Sequence, residues 1–224
     1  MADSVTSAGT LHQDGRVEWT QLQSSYDVVA RKYETRFLDE LRDKPRDREL
    51  LTIFAESVSD PILEVGCGPG QIGVFVRQRG RCVFGLDLSP QMARLANGRL
   101  DAVLVADMRS LPLAPERLGG LIAFYSLIHV RRPELRAVLR EFHRVLQPGG
   151  RVLFSAHEGQ GEVERDQFLE EPVPFAATLF ELDELVDASR AAGLTVSLAE
   201  RRTPYPSEST VRLYVEATRP NTTT

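Results

Sequence analysis

The residues best suited to chemistry gather at positions 64–70, Glu-Val-Gly-Cys-Gly-Pro-Gly, where three glycines alternate with other residues behind a carboxylate. Glycine belongs where the backbone turns sharply and a ligand comes so close that a side chain would collide with it. Such a loop suits a nucleotide-type ligand, and the spacing narrows which one. A dinucleotide fingerprint has its third glycine three positions after the second, where this chain has Gln71, and no Lys-Ser or Lys-Thr pair follows to make a P-loop. A second acid, Asp87, comes after the loop at roughly the twenty-residue interval expected of a ribose-binding carboxylate. A carboxylate can accept hydrogen bonds from two vicinal hydroxyls at once. Asp87 also precedes Ser89-Pro90, so capping the next helix is the competing role.

The hydrophobic pattern supplies elements that bring these residues to one edge. Ile62, Leu63 and Val65 form a short apolar burst typical of a strand buried on both faces. The glycine loop ends it, and Ile72, Phe75 and Val76 then follow at one-face helical spacing up to Gly80. Residues 82–87 read as a second strand. Ser89 is a helix N-cap, Pro90 a first helical residue, and Met92, Leu95 and Ala96 an inner face. A third strand, 102–106, ends at Asp107-Met108. Gly119-Gly120 introduces a fourth, 121–127, with Tyr125, Ser126, Ile128 and His129 beyond its buried part. A helix opened by Pro133 and closed by Pro148-Gly149-Gly150 leads to a fifth strand, 151–155. Residues 160–174 read as a substrate-side loop or cap, with Phe168 and Phe175 as isolated anchors. A helix at 183–192 and strands at 194–199 and 211–217 complete the pattern, the last two as an antiparallel pair. This order predicts an α/β fold with one seven-stranded, mostly parallel sheet and helices on both faces.

Two amphipathic helical stretches, residues 21–41 and 47–58, precede the first strand, so residues 21–60 form an N-terminal helical unit and 61–218 the α/β domain. Residues 1–20 and 219–224 are expected to be unstructured. The length of 224 residues fits one such domain with additions. A net charge of −5 and the lack of a long basic cluster argue against a nucleic-acid partner. The start of the chain has no apolar signal core, and no window approaches a membrane span. Two cysteines, Cys67 and Cys82, are too few for a disulfide framework or a zinc site, which points to a reduced, cytoplasmic protein. No metal site is evident.

An alternating Gly-x-Gly-x-Gly after a strand ending in Glu64, then Asp87, Asp107-Met108 and a Leu-Gln-Pro-Gly-Gly element at 146–150, resembles the class I S-adenosylmethionine-dependent methyltransferases, in particular small single-domain members of the type 11/25 kind. The resemblance spans about residues 26–218. It implies a Rossmann-like sheet of order 3-2-1-4-5-7-6 with the last strand antiparallel, and S-adenosylmethionine as co-substrate. It further implies cofactor contacts at Glu64, Gly66, Cys67, Gly68, Asp87, Leu88, Met92, Asp107, Met108 and Tyr125. Asp107 would accept from the adenine amino group, with Met108 against the ring. Tyr26-Asp27-x-x-Ala30-x-x-Tyr33 resembles the family's N-terminal lid, implying Tyr33 as a further contact, although aromatic residues at helical spacing suit a plain core equally well.

The implied activity is O-, N- or C-methylation of a small molecule, of the kind found in bacterial secondary metabolism or quinone biosynthesis. Other chemistry on the same cofactor, such as cyclisation or decarboxylation, and a non-catalytic binding role are the alternatives. A base is needed only if the acceptor arrives protonated. The candidates are His129, after the fourth strand, and His157, after the fifth, where Glu158 could hold the imidazole in one tautomer. His129 is the favoured of the two.

Overall fold

The computed structural model describes residues 17–221. The expected leader, apart from residues 17–20, and residues 222–224 of the expected tail lie outside the described residues. The N-terminal unit comprises α1 (Trp19–Phe37) and α2 (Pro45–Ser57), joined through a short 3-10 turn, Glu40–Asp43. α1 starts two residues before the expected lid. Its first turn is closed by a capping box in which Glu18 N–H donates to Gln21 Oε1 at 2.9 Å. Its buried residues, Leu22, Ser25, Val29 and Ala30, recur at three- and four-residue steps. In α2, Pro45 sits in the first turn, where its missing N–H costs nothing.

The α/β domain runs β1 (Ile62–Val65), α3 (Gln71–Arg77), β2 (Val83–Asp87), α4 (Pro90–Ala96), β3 (Ala102–Val105), β4 (Leu118–Phe124), α5 (Leu135–Val145), β5 (Leu146–His157), β6 (Glu162–Arg165), β7 (Phe175–Thr178), α6 (Leu182–Ala191), β8 (Thr195–Arg202) and β9 (Arg212–Thr218). Seven strands make one sheet in the order β3-β2-β1-β4-β5-β9-β8. Strands β1 to β5 are parallel, and β9 lies antiparallel between β5 and β8. Counting sheet strands alone, this is the expected 3-2-1-4-5-7-6. Phe54, Ile62, Ile72 and Ile122 pack on one face of the sheet, and Leu63, Leu121, Phe142 and Leu185 on the other. Every residue of β1 and of β4 is buried, which explains why β4 is an unbroken apolar run and β1 is apolar apart from Glu64.

Several boundaries differ from the sequence reading. β5, expected at 151–155, runs Leu146–His157, so Pro148-Gly149-Gly150 lies inside it rather than closing the preceding helix. β4 starts at Leu118, so Gly119 and Gly120 lie inside it. A Cβ on Gly119 would stand 2.0 Å from the backbone oxygen of Ser59, and the strand shifts register between Leu118 and Gly120. These glycines therefore mark a close backbone approach within a strand rather than a turn before one. Residues 160–174 are not simply a loop: β6 and β7 pair antiparallel as a separate two-stranded sheet. Phe168 and Phe175 are stacked on each other with centroids 4.7 Å apart rather than isolated. Arg219 is held in the packed domain, with its backbone paired to Gly149 and Gly150 and its guanidinium donating to the Leu146 carbonyl at 2.7 Å.

Candidate functional site

The site forms where β1 and β4 send their connections to opposite sides, the switch point at which open α/β sheets bind ligands. Gly66, Gly68 and Gly70 have φ of 67°, 52° and 87°, values that favour glycine. The N–H groups of Gly66 and Cys67 both donate to Leu86 O, at 2.7 and 3.0 Å, fastening the loop to the end of β2. A Cβ on Gly66 would lie 2.3 Å from Cβ of Ser126, whose hydroxyl donates to Val65 O at 2.7 Å. The loop is thus pressed against the residues that follow β4. Asp87 joins the same corner. Its Oδ2 accepts from Gly68 N–H and its Oδ1 from Ser89 N–H, each at 2.8 Å. Burial pushes this carboxyl up to about 6, while the N–H bonds from Ser89 and Gly68 pull it back. Asp87 thus steadies the cap residue Ser89 through its N–H while Ser89 itself caps α4, and the Asp87 side chain lines the cleft.

That cleft spans about 650 Å³, its mouth open to solvent included. Gly66 and Gly68 of the loop, Asp87, Leu88 and Met92 from the end of β2 and from α4, Asp107 and Met108 after β3, and Tyr125, Ser126 and His129 after β4 line it. α1 covers it with Trp19, Tyr26 and Tyr33. The lid is tied down where Asp27 accepts from Ser89 Oγ at 2.5 Å and from Gln91 N–H at 3.0 Å. Asp107 reaches the cleft already paired with Arg109, 2.6 Å away, whose guanidinium lies 4.3 Å above the Trp19 ring.

Glu64 and Cys67 do not line the cleft, against the sequence expectation. Glu64 is buried behind the glycine loop, where its Oε2 accepts from Gly73 N–H at 2.8 Å; burial holds its carboxyl well above the usual range. Cys67 is buried beneath the loop, close to Gly85, and burial likewise raises its thiol.

The two histidines differ. His129 ends the short 3-10 turn Leu127–His129. Its Nδ1 lies 2.8 Å from Ala176 O on β7 and its Nε2 2.8 Å from the Tyr26 hydroxyl. A carbonyl only accepts, so Nδ1 carries the proton, and Nε2 accepts from the Tyr26 O–H. Burial pushes this imidazole down to about 4. His157 is outside the cleft lining. Its Nδ1 meets Thr210 Oγ1 at 2.9 Å, its ring stacks on Tyr125, and burial together with the nearby Arg212 pushes it down to about 3. Glu158 does not hold it, because that carboxylate is paired with Arg201.

Tyr125 has a φ of 55°, uncommon for a residue with a side chain. Its hydroxyl donates to Asp47 Oδ2 at 3.0 Å, and Tyr214 donates to Oδ1 of the same carboxylate at 2.5 Å. Asp47 is fully buried, and this anchoring of α2 to β4 and β9 was not visible in the sequence, where Asp47 reads as an ordinary first-turn acid. Trp19 and Ser126 were also missed as cleft residues. Among the described residues no group of three or more His, Cys, Asp or Glu is placed to hold a metal ion, and no helix is long and apolar enough to cross a membrane.

Comparison with known proteins agrees with this geometry. A family model described as a methyltransferase domain matches residues 62–150. A malonyl-[acyl-carrier protein] O-methyltransferase of Hamiltonella defensa is 35% identical over 108 residues, covering 47% of this chain and 41% of that protein. An uncharacterized methyltransferase of Geobacillus kaustophilus is 26% identical over 138 residues, covering 60% of this chain and 63% of that protein. The chain thus spans less than two-thirds of either curated relative. Among solved structures, the 1,6-didemethyltoxoflavin-N1-methyltransferase of Burkholderia thailandensis, with S-adenosylhomocysteine bound, superposes with a TM-score of 0.68 at 22% identity, covering 90% of this chain and 88% of that one. A methyltransferase of Thermotoga maritima, described as a possible histamine N-methyltransferase, gives 0.65 at 21% identity, covering 88% and 99%. The architecture is the class I methyltransferase fold. The family model match, residues 62–150, takes in the glycine loop, β2 to β4 and α5 of that fold.

Proposed function

We propose that the protein is an S-adenosylmethionine-dependent methyltransferase acting on a small molecule, with the cleft under α1 as its active site. The observation that carries this reading is the meeting, in one cleft, of bare glycine backbone at Gly66 and Gly68, the Asp87 carboxylate and the Asp107-Met108 pair. In this assignment Asp87 accepts from the ribose hydroxyls, Asp107 and Met108 hold the adenine, and Leu88, Met92, Tyr33 and Tyr125 close around the cofactor. Glu64 and Cys67 support the loop from behind. The cofactor's sulfonium supplies the electrophilic methyl group when bound.

The remaining task for the chain is alignment, since nucleophile, methyl carbon and sulfur must lie close and nearly in line. The covering aromatic residues of α1 exclude water from that geometry. A small acceptor of bacterial secondary metabolism or quinone-type biosynthesis fits an enclosed, largely apolar cleft, and the named activities of the relatives on small or carrier-bound groups support it. The free thiols of Cys67 and Cys82 support a cytoplasmic setting.

The test is incubation with methyl-labelled S-adenosylmethionine and a panel of small acceptors. Label transferred to an acceptor, with S-adenosylhomocysteine released, is the expected result. Cofactor turnover without label in any acceptor would instead favour cyclase or decarboxylase chemistry.

A further inference from the structure

We propose that Tyr26 is the residue that meets the methyl acceptor, and that Tyr26 and His129 together relay the acceptor's proton away as the methyl group arrives. This rests on the methyltransferase reading above and adds to it the identity of the contacting group and the acceptor's chemical class. His129 cannot itself receive a proton from the cleft in this arrangement, because the Tyr26 hydroxyl occupies Nε2 at 2.8 Å and the Ala176 carbonyl occupies Nδ1 at 2.8 Å. Tyr26 lines the cleft, and its oxygen, having given its proton toward His129, has lone pairs left to accept another.

The step balances without any further reactant. The acceptor's X–H bond breaks and its proton passes to Tyr26 Oη, while the proton of Tyr26 passes to His129 Nε2. The X–CH3 bond forms as the S–CH3 bond breaks, and the imidazolium keeps its Nδ1–H on Ala176 O. Burial keeps His129 neutral beforehand, so Nε2 is open to a proton. A weakly basic imidazole is sufficient, since an X–H group becomes strongly acidic once X begins to bond the methyl carbon.

Three separate elements assemble the pair: α1 brings Tyr26, the turn after β4 brings His129, and β7 brings the carbonyl that sets the tautomer. Aromatic rings enclose it. Tyr26 lies edge-on to Phe168, with centroids 5.3 Å apart, and His129 edge-on to Phe175 at 5.6 Å. Shielding of this kind strengthens both hydrogen bonds and keeps bulk water from competing for the proton. The consequence for substrate class is definite: the acceptor carries a proton, as a phenol, alcohol or amine does. A carboxylate would have no use for the pair.

The first test needs no acceptor or cofactor. In unliganded protein labelled with ¹⁵N-histidine, His129 should show a protonated Nδ1 and a bare Nε2 at neutral pH, with the Nε2 resonance moving in Tyr26→Phe. A proton found on Nε2, or an Nε2 signal indifferent to Tyr26→Phe, would overturn the proposal. The second test uses labelled S-adenosylmethionine with small phenols of graded acidity, such as phenol and 4-nitrophenol, and with benzoate. Tyr26→Phe and His129→Ala should each lower kcat on phenol by about 10²-fold, the double variant should be no worse than either, and the loss should shrink on the more acidic phenol. S-Adenosylhomocysteine affinity should not change. Methylation of benzoate alone, or full turnover in Tyr26→Phe beside collapse in His129→Ala, would contradict the relay. Failure of the parent protein to bind S-adenosylhomocysteine would overturn the methyltransferase reading instead.

Discussion

Asp87 serves two purposes with one carboxylate, fastening Gly68 and Ser89 through their N–H groups while facing the cleft. Ribose hydroxyls need it ionised. With the free carboxyl raised to about 6, S-adenosylhomocysteine affinity should be full above that pH and fall by up to about tenfold per unit below it, as measured by calorimetry across a pH series. Asp87→Asn should lose about 2 kcal/mol of binding at neutral pH and flatten the series; an unchanged series would leave Asp87 as a helix cap only. For folding the sign is opposite. A raised carboxyl contributes stability that is complete below its ordinary 3.8 and is lost as pH rises through about 6, so ligand binding and folding respond to this group in opposite directions. Glu64 gives the contrasting case. Its carboxylate accepts from Gly73 N–H, behind the loop, and Glu64→Gln retains an acceptor there. That variant should bind S-adenosylhomocysteine within about threefold of the parent, whereas Glu64→Ala should destabilise the fold by about 1 to 3 kcal/mol by orphaning a buried N–H. A large loss of affinity in Glu64→Gln would return Glu64 to the cofactor.

At the scale of elements, β1, the glycine loop, β2 and the Ser89-Pro90 helix start were legible because each is written in contiguous residues with a local physical cause. Ser89 caps α4 by accepting from Met92 N–H, as its position before Pro90 implied. The β6–β7 hairpin was not legible, because its short, half-exposed strands carry charged residues such as Glu162, Glu164 and Arg165 and lack an alternating apolar face. Gly119 misled for another reason: adjacent glycines look like a turn, and only the folded chain shows Ser59 lying against one of them. The Tyr26–His129 bond joins residues 103 positions apart, so no local spacing could announce it. Gly119→Ala tests the strand reading. Its Cβ would press on the Ser59 carbonyl, and forcing β4 to shift should cost about 1 to 3 kcal/mol in denaturant unfolding, with cofactor affinity kept in the folded fraction. Parental stability would mean that Gly119 lies in a turn with room to spare.

Over the whole molecule, the paired strands β1 and β4 send their connections to opposite sides at the carboxyl edge of the sheet, and α1 residues line the cleft that results. The glycine loop and the acids Asp87 and Asp107 line one cleft there, and the proposed function depends on S-adenosylhomocysteine binding in it. The most direct measurement is isothermal calorimetry of the purified protein with S-adenosylhomocysteine, run beside NAD at neutral pH. Micromolar affinity for S-adenosylhomocysteine, on the order of 7 to 8 kcal/mol, and no heat with NAD is the predicted result. Tight binding of NAD with none of S-adenosylhomocysteine would contradict it.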